Sequence, residues 1–480
     1  MNIYAILYII GLVLNFEGAF LLLPCITAAV FRETQGFAYL VTMAICFVIG
    51  LPMMILADKK KKEFYSKEGF SAVAICWFII GIFGALPFWF THEIPNYVDA
   101  LFETFSGLTT TGASILNDVE ALSKCSLLWR SFTHWIGGMG VFVFVLAVFP
   151  KTAGNNIHLM RAESPGPQVN KLVPHLRDTA LILYMIYTFL TIFEIILLII
   201  FGMPIYDSIC TSFGTAGTGG FGIKNDSLGG YSVQLQAIVT VFMVLFGVNF
   251  SFYYLIVAKK LRDALRMEEV RIYLAIIIVS VAAISINIAH MFSNIFEAIH
   301  HSFFQVASII TTTGFSTCDF DTWPIFSKTI LVLLMFVGAC AGSTGGGIKV
   351  SRIVVGIKVS IKAVKSYVHP RSVTSVRLDG RVINDDTERM ISVYTVIYAL
   401  IFMVSMILIS FFDNFDFTTN FTAIAATFNN IGPGLEKVGP TCNFSIFTDF
   451  SKVVMMFDML FGRLEIFPIL VMLSPRTWRC

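Results

Sequence analysis

Charge is scarce in this 480-residue sequence: 13% of positions are Asp, Glu, Lys or Arg, and the net charge is +2. Soluble domains carry about 25% charged residues, so this chain has too few to clothe a water-facing surface. The small net charge also leaves no electrostatic footprint for nucleic acid. Metal-ligand spacing is missing too. The nine cysteines are scattered, form no CxxC pair, and sit mostly in apolar runs, as at Cys25, Cys46, Cys76 and Cys340. They read as small core residues. The eight histidines and the acids show no converging nucleophile, base or metal ligands, which argues against a membrane-embedded enzyme. What the chain has in abundance is apolar surface, with 56% hydrophobic residues and 47 phenylalanines. Its expected class is an all-α polytopic membrane protein.

A membrane span needs about 20 mostly apolar residues. Ten stretches qualify, near 3–30, 37–57, 70–90, 127–149, 179–201, 234–258, 272–292, 328–348, 391–412 and 450–473. The first lacks a basic leader and carries Glu17, so it reads as a span rather than a cleaved signal. Of the 33 lysines and arginines, 25 fall in the connections 58–69, 150–178, 259–271, 349–390 and 474–480. The positive-inside rule then places both termini in the cytoplasm. The opposite connections hold seven bases and fifteen acids, including Asp99, Glu103, Asp207, Asp226 and Asp449. A negative mouth concentrates cations, although the same rule depletes outer lysine without any function.

Four outer connections share more than charge. Each has an apolar segment too short to span, followed by a turn around glycine: FETFSGLTTTGAS (Phe102–Ser114), CTSFGTAGTGGFG (Cys210–Gly222), FQVASIITTTGFS (Phe304–Ser316) and TAIAATFNNIGPG (Thr422–Gly434). Gly112, Gly220, Gly314 and Gly432 align, and Asp99 and Asp207 each lie thirteen residues before their glycine. The implied unit is helix, half-helix, glycine turn, helix, repeated four times around one pore. It divides the chain into an N-terminal helix pair (1–69) and repeats over 70–178, 179–271, 272–390 and 391–480. Irregular backbone at membrane depth must line protein or water. Half-helix C-termini carry partial negative charge, and rings of carbonyl oxygens can replace a potassium ion's hydration shell. No carboxylate falls in the turns, which suits a large monovalent cation better than a divalent one.

These segments resemble the filters of the Trk/Ktr/HKT superfamily of potassium transporters. GACAGSTGGGIKVSR (Gly338–Arg352), FGRLEIF (Phe461–Phe467) and WRSFTHWIGGMG (Trp129–Gly140) resemble its Trk branch. The extra N-terminal helix pair resembles the TrkH/TrkG type. The second segment is richer in glycine, at Gly217 and Gly222, than other members. The resemblance implies a potassium filter formed by Thr110, Thr111 and Gly112, by Thr218, Gly219 and Gly220, by Thr312, Thr313 and Gly314, and by Asn430, Ile431 and Gly432. It implies a homodimer with one pore per protomer in the bacterial inner membrane. It also implies a TrkA-type cytosolic regulatory subunit, which alone would bind nucleotide; no covalent cofactor is expected. Glycine rather than serine at the first filter position goes, in the superfamily, with potassium. Proton- or sodium-coupled symport is the rival transport mechanism, although a parallel fourfold repeat differs from the inverted pairs of alternating-access carriers.

Glycines 342, 345, 346 and 347 should break the eighth span, since each costs roughly 1 kcal/mol in a helix. A phosphate loop is excluded because Ile348 stands where lysine is required. The break follows the third turn, and the resemblance makes it an intramembrane gate built from Gly342, Ser343, Thr344, Gly345, Gly346 and Gly347. Small-residue helix packing is the competing account. Arg463, expected inside the tenth span, is costly in lipid. It suits either the carbonyls freed by that break or an ion pair with Glu465 or Glu194. His300 and His301 read as packing or capping residues. The basic stretch 349–390 should extend the broken helix into the cytoplasm, either as a docking surface, together with 150–178, or as a solvated loop.

Overall fold

Within lipid only a helix satisfies a segment's backbone groups internally, and helix is what the apolar runs form. The computed structural model describes residues 3–58, 66–140, 176–371 and 375–478. Among the described residues, six helical stretches are long and apolar enough to cross a membrane: Ile3–Phe31, Gly36–Ala57, Glu68–Phe90, Thr179–Ile200, Glu268–Met291 and Asp385–Phe412. Large apolar side chains such as Phe189, Ile278, Ile286, Ile407 and Phe411 stand exposed on them, a surface suited to acyl chains and not to water.

The other four expected spans are shorter or interrupted. Lys124–Met139 ends at Gly140, with φ +80°, and the expected continuation over 141–149 lies outside the described residues. The stretch expected as one helix over 234–258 is two, Val233–Phe246 and Phe250–Val257, bent by 89°. Gly247 weakens the helix there, and Asn249 starts the second piece by accepting from the Ser251 N–H at 2.9 Å. The eighth stretch is Ile325–Val337, an irregular segment 338–349, and Val350–Val368. The tenth is also broken. Asp449–Arg463 and Phe467–Leu473 flank a turn in which Glu465 and Ile466 have φ of 54° and 70°. Arg463 is therefore the last residue of a helix, where a cation complements the dipole, and not a mid-helix residue as the hydropathy suggests.

Four short helices carry the glycine turns: Tyr97–Leu108, Ile205–Gly217, Ile295–Ile310 and Phe417–Phe428. Asn96, Asn294 and Asp416 cap three of them, and Asp99, Asp207 and Glu297 sit in first turns, where acids favour the helix dipole. The largest core cluster joins the first three long helices to the first and fourth of these half-helices and to the last helices. After Val350–Val368 the chain makes a small hairpin, Arg377–Leu378 against Arg381–Val382.

Candidate functional site

Each half-helix ends in the same way. The backbone N–H groups of Thr111, Gly219, Thr313 and Ile431 donate to the carbonyls five residues earlier, on Ser106, Gly214, Ser308 and Ala426, at 2.8–2.9 Å. This bond belongs to the Schellman closure, which needs a left-handed residue just after the helix. Glycine usually fills that place, but here Thr110, Thr218, Thr312 and Asn430 do, with φ between 53° and 58°. Two residues later Gly112, Gly220, Gly314 and Gly432 also take positive φ. Each turn thus holds two positive-φ residues with one residue between them. From the sequence Thr110, Thr218, Thr312 and Asn430 are filter candidates, but their left-handed backbone is not legible there, because threonine does not announce that conformation.

The four turns close a ring. A Cβ placed on Gly112 would lie 2.0 Å from the Gly219 carbonyl oxygen, one on Gly220 1.9 Å from that of Thr313, and one on Gly314 2.0 Å from that of Ile431. One on Gly432 would lie 2.9 Å from that of Thr111. Each aligned glycine thus abuts the carbonyl just before the next aligned glycine. The circuit runs first, second, third, fourth and back to first. Side chains brace it from behind: Thr109 with Thr111 at 2.8 Å, Thr311 with Thr313 at 2.7 Å, and Asn430 Nδ2 donating to Thr111 Oγ1 at 3.0 Å. On one side the ring opens into a pocket lined by Gly112, Gly220, Gly314 and Gly432 together with Arg130, Lys224 and Ser316.

Two further supports, Arg130 and His134, lie in the segment Trp129–Gly140 that resembles the Trk branch, but the role of neither was legible in the sequence. Arg130 forms a buried ion pair with Glu103, donates to the Gly222 carbonyl at 2.8 Å and lies 3.7 Å over the Phe221 ring. Glu103 also accepts from Ser114 Oγ and the Ile115 N–H, each at 3.0 Å. Arg130, one of the seven bases on the acid-rich side, is a strut between the first two turns. His134 Nδ1 lies 2.8 Å from the Gly107 carbonyl, and its Nε2 accepts from the Phe221 N–H at 3.2 Å. That pairing sets a neutral ring with its proton on Nδ1.

The segment 338–349 lies against the other side of the ring. The Gly346 N–H donates to Thr312 Oγ1 at 2.6 Å, and Gly345 sits beside the Thr311 carbonyl. Its other wall is the unexpected break in the sixth stretch. Phe250 N donates to the Gly342 carbonyl at 3.0 Å, Cys340 N to that of Gly247 at 3.1 Å, and Thr344 Oγ1 to that of Phe246 at 3.3 Å. Two broken helices thereby satisfy one another's freed backbone groups. Lys349, left-handed at φ +81°, donates to the Gly345 carbonyl. Ser343 Oγ donates to the Cys340 carbonyl at 2.6 Å, and Gly347 packs on Gly338.

Arg463 reaches this segment. Its Nη1 donates to the Thr344 carbonyl at 2.9 Å and approaches Thr110 Oγ1 at 3.4 Å, while Nη2 donates to the carbonyls of Gly138, at 2.7 Å, and Gly137. One guanidinium thus touches the irregular segment, the first turn and the end of Lys124–Met139. Of the two acids considered from sequence as its ion-pair partner, Glu465 pairs with Arg352 instead, and Glu194 is fully buried. His300 bonds Gln236 and His301 bonds Thr317, so both pack within the second helical turn and neither caps.

The profile of the TrkH family, described as cation transport proteins, matches residues 35–479. Over its whole length the chain is 36% identical to the full-length Trk system potassium uptake protein TrkH of Escherichia coli strain K12. It is 33% identical to TrkG of the same organism, over 95% of this chain and 94% of that one. The crystal structure of the potassium transporter TrkH from Vibrio parahaemolyticus superposes with a TM-score of 0.90 at 32% identity, covering both chains completely. A multi-pass helical architecture, four glycine turns meeting in a ring, and full-length likeness to these transporters converge on one assignment: the chain belongs to the TrkH family of cation transport proteins.

Proposed function

We propose that this protein is the pore-forming subunit of a potassium uptake system in the bacterial inner membrane. The observation that carries the reading is the closed circuit in which each aligned glycine abuts the preceding-residue carbonyl of the next turn. Backbone oxygens of Thr110, Thr111 and Gly112 and their counterparts in the other three turns form the filter, replacing the hydration shell of a bare potassium ion. The names of the full-length relatives, Trk system potassium uptake proteins, point to the same ion. Each half-helix with its flanking helices acts as one of four repeats, at 70–178, 179–271, 272–390 and 391–480, behind an N-terminal pair.

Segment 338–349 is the gate. It lies against the end of the ring away from the glycine-lined pocket, and in the orientation set by the lysine bias that end is the cytoplasmic one. Arg463 holds it shut through the Thr344 carbonyl. A TrkA-type subunit that binds nucleotide releases it, and the pore subunit works as a homodimer with both termini in the cytoplasm. The test is radiolabelled rubidium and sodium flux into liposomes containing the purified chain, with and without an imposed proton gradient. Rubidium should enter down its own gradient in preference to sodium. Uptake that depends on the proton gradient would overturn the pore mechanism in favour of coupled symport.

A further inference from the structure

We infer that Glu269 is a positioning residue for the closed pore, its carboxylate clasping both ends of segment 338–349; the inference rests on reading that segment as the gate. Glu269 is buried in the first turn of Glu268–Ile288. One of its oxygens, Oε1, accepts from the Ala341 N–H at 2.6 Å and from the Ser351 N–H at 3.1 Å. These two donors stand on opposite sides of the glycine run. The broken helix leaves both without their usual carbonyl partners, and a buried N–H must find another acceptor. A carboxylate is suited to the place because it only accepts, whereas an amide would bring N–H donors needing partners of their own. Ser351 also lies in the first turn of Val350–Val368, where a negative group meets the positive end of the helix dipole.

What holds Glu269 in place is the hairpin that follows Val350–Val368. The hairpin turns at Asp379 and Gly380, both at positive φ (52° and 77°), as a two-residue turn of this hand requires. That turn presents Asp379, whose Oδ1 accepts from the Glu268 N–H at 2.6 Å. Lys358 ties the same corner, donating to Glu268 at 2.5 Å and to the Arg377 carbonyl at 2.9 Å. Hairpin, helix start and both ends of the segment thus form one continuous set of hydrogen bonds. They meet the gate from the face where the proposed regulatory partner would act. From sequence alone Glu269 is one of two acids at a helix start, a place where acids are common for dipole reasons alone.

The full chain in liposomes tests this with Glu269→Ala and Glu269→Gln beside a variant lacking residues 343–346. Basal rubidium flux and hydrogen exchange over 339–352 are measured on each. Glu269→Ala should speed exchange at Ala341 and Ser351 and raise basal flux by about tenfold or more, the factor for one lost hydrogen bond to a charged group. Glu269→Gln, which keeps an acceptor oxygen, should fall between it and wild type, and carries the test with the same signs if the alanine variant fails to fold. Unchanged exchange at the two amides overturns the clasp. Faster exchange with unchanged flux, while the deletion raises flux, overturns its part in holding the pore closed and leaves the gate reading intact. A deletion that leaves flux unchanged overturns the gate reading itself, and this role with it.

Discussion

At Gly112 a side chain would have to enter space held by the Gly219 carbonyl, 2.0 Å from where its Cβ would lie, on backbone at φ +79°. Replacing Gly112 with serine should therefore push apart two walls of the ring and raise the ratio of sodium to rubidium flux. An unchanged ratio would place Gly112 outside the filter. Behind the ring, Glu103 and Arg130 are both almost fully buried. Removing one member of such a pair strands a charge, at a cost of about 3–5 kcal/mol. Glu103→Ala should accordingly lower the thermal unfolding midpoint in detergent, while an exposed acid such as Asp385 replaced by alanine should not. Arg463 makes charge-assisted bonds to backbone carbonyls, each worth about 1.5–3 kcal/mol. Its replacement by alanine should raise basal rubidium flux, and flux at or below wild type in a normally folded variant would remove Arg463 from the gate.

Two broken helices facing one another are the central feature at the scale of elements. A single interruption at membrane depth leaves N–H and C=O groups that lipid cannot satisfy. Here the break at Gly247–Asn249 accepts from and donates to the break at 338–349, so neither element is stable in this form without the other. Deleting residues 343–346 should raise basal flux and shrink any stimulation by the proposed regulatory subunit. A role in packing alone predicts the reverse, with lower flux and the fold stimulation preserved, once flux is normalised to protein that elutes as a single species. Asn249→Ala removes the cap of Phe250–Val257, worth about 1 kcal/mol. It should shift flux in the same direction by a smaller factor.

Across the whole molecule, charge is sorted by side. Several bases of the acid-rich side are engaged: Lys452 lies 2.5 Å from Asp99, Lys328 bonds Asp321, and Lys124, Lys224 and Lys437 lie over aromatic rings. Each ion pair cancels an acid along with its base, so the field of that side follows from its excess of acids, fifteen against seven bases. The orientation behind this picture has a direct check. A fluorescent protein fused after Cys480 should fold and fluoresce, since it does so in the cytoplasm, and alkaline phosphatase at the same place should stay inactive. The opposite pattern would invert the mouth and the gate.

Hydropathy, lysine bias and aligned glycines are local properties of the chain. They were enough for a helical membrane protein, the four turn segments, the interruption near Gly345–Gly347 and the family. Contacts between distant residues decided the rest. Arg463 meets Thr344, 119 residues away, and no periodicity encodes that a helix stops at Arg463 because Glu465 and Ile466 turn left-handed. The break at Gly247–Asn249 lay hidden in an apolar run, because one glycine and one asparagine are tolerable in a helix until a neighbouring break offers their backbone better partners. Thr110, Thr218, Thr312 and Asn430 adopt φ near +55°, a conformation that costs energy for any residue with a Cβ. Such a cost is sustained when packing around all four turns over-determines it, so the ring exists only once the whole chain has closed around it.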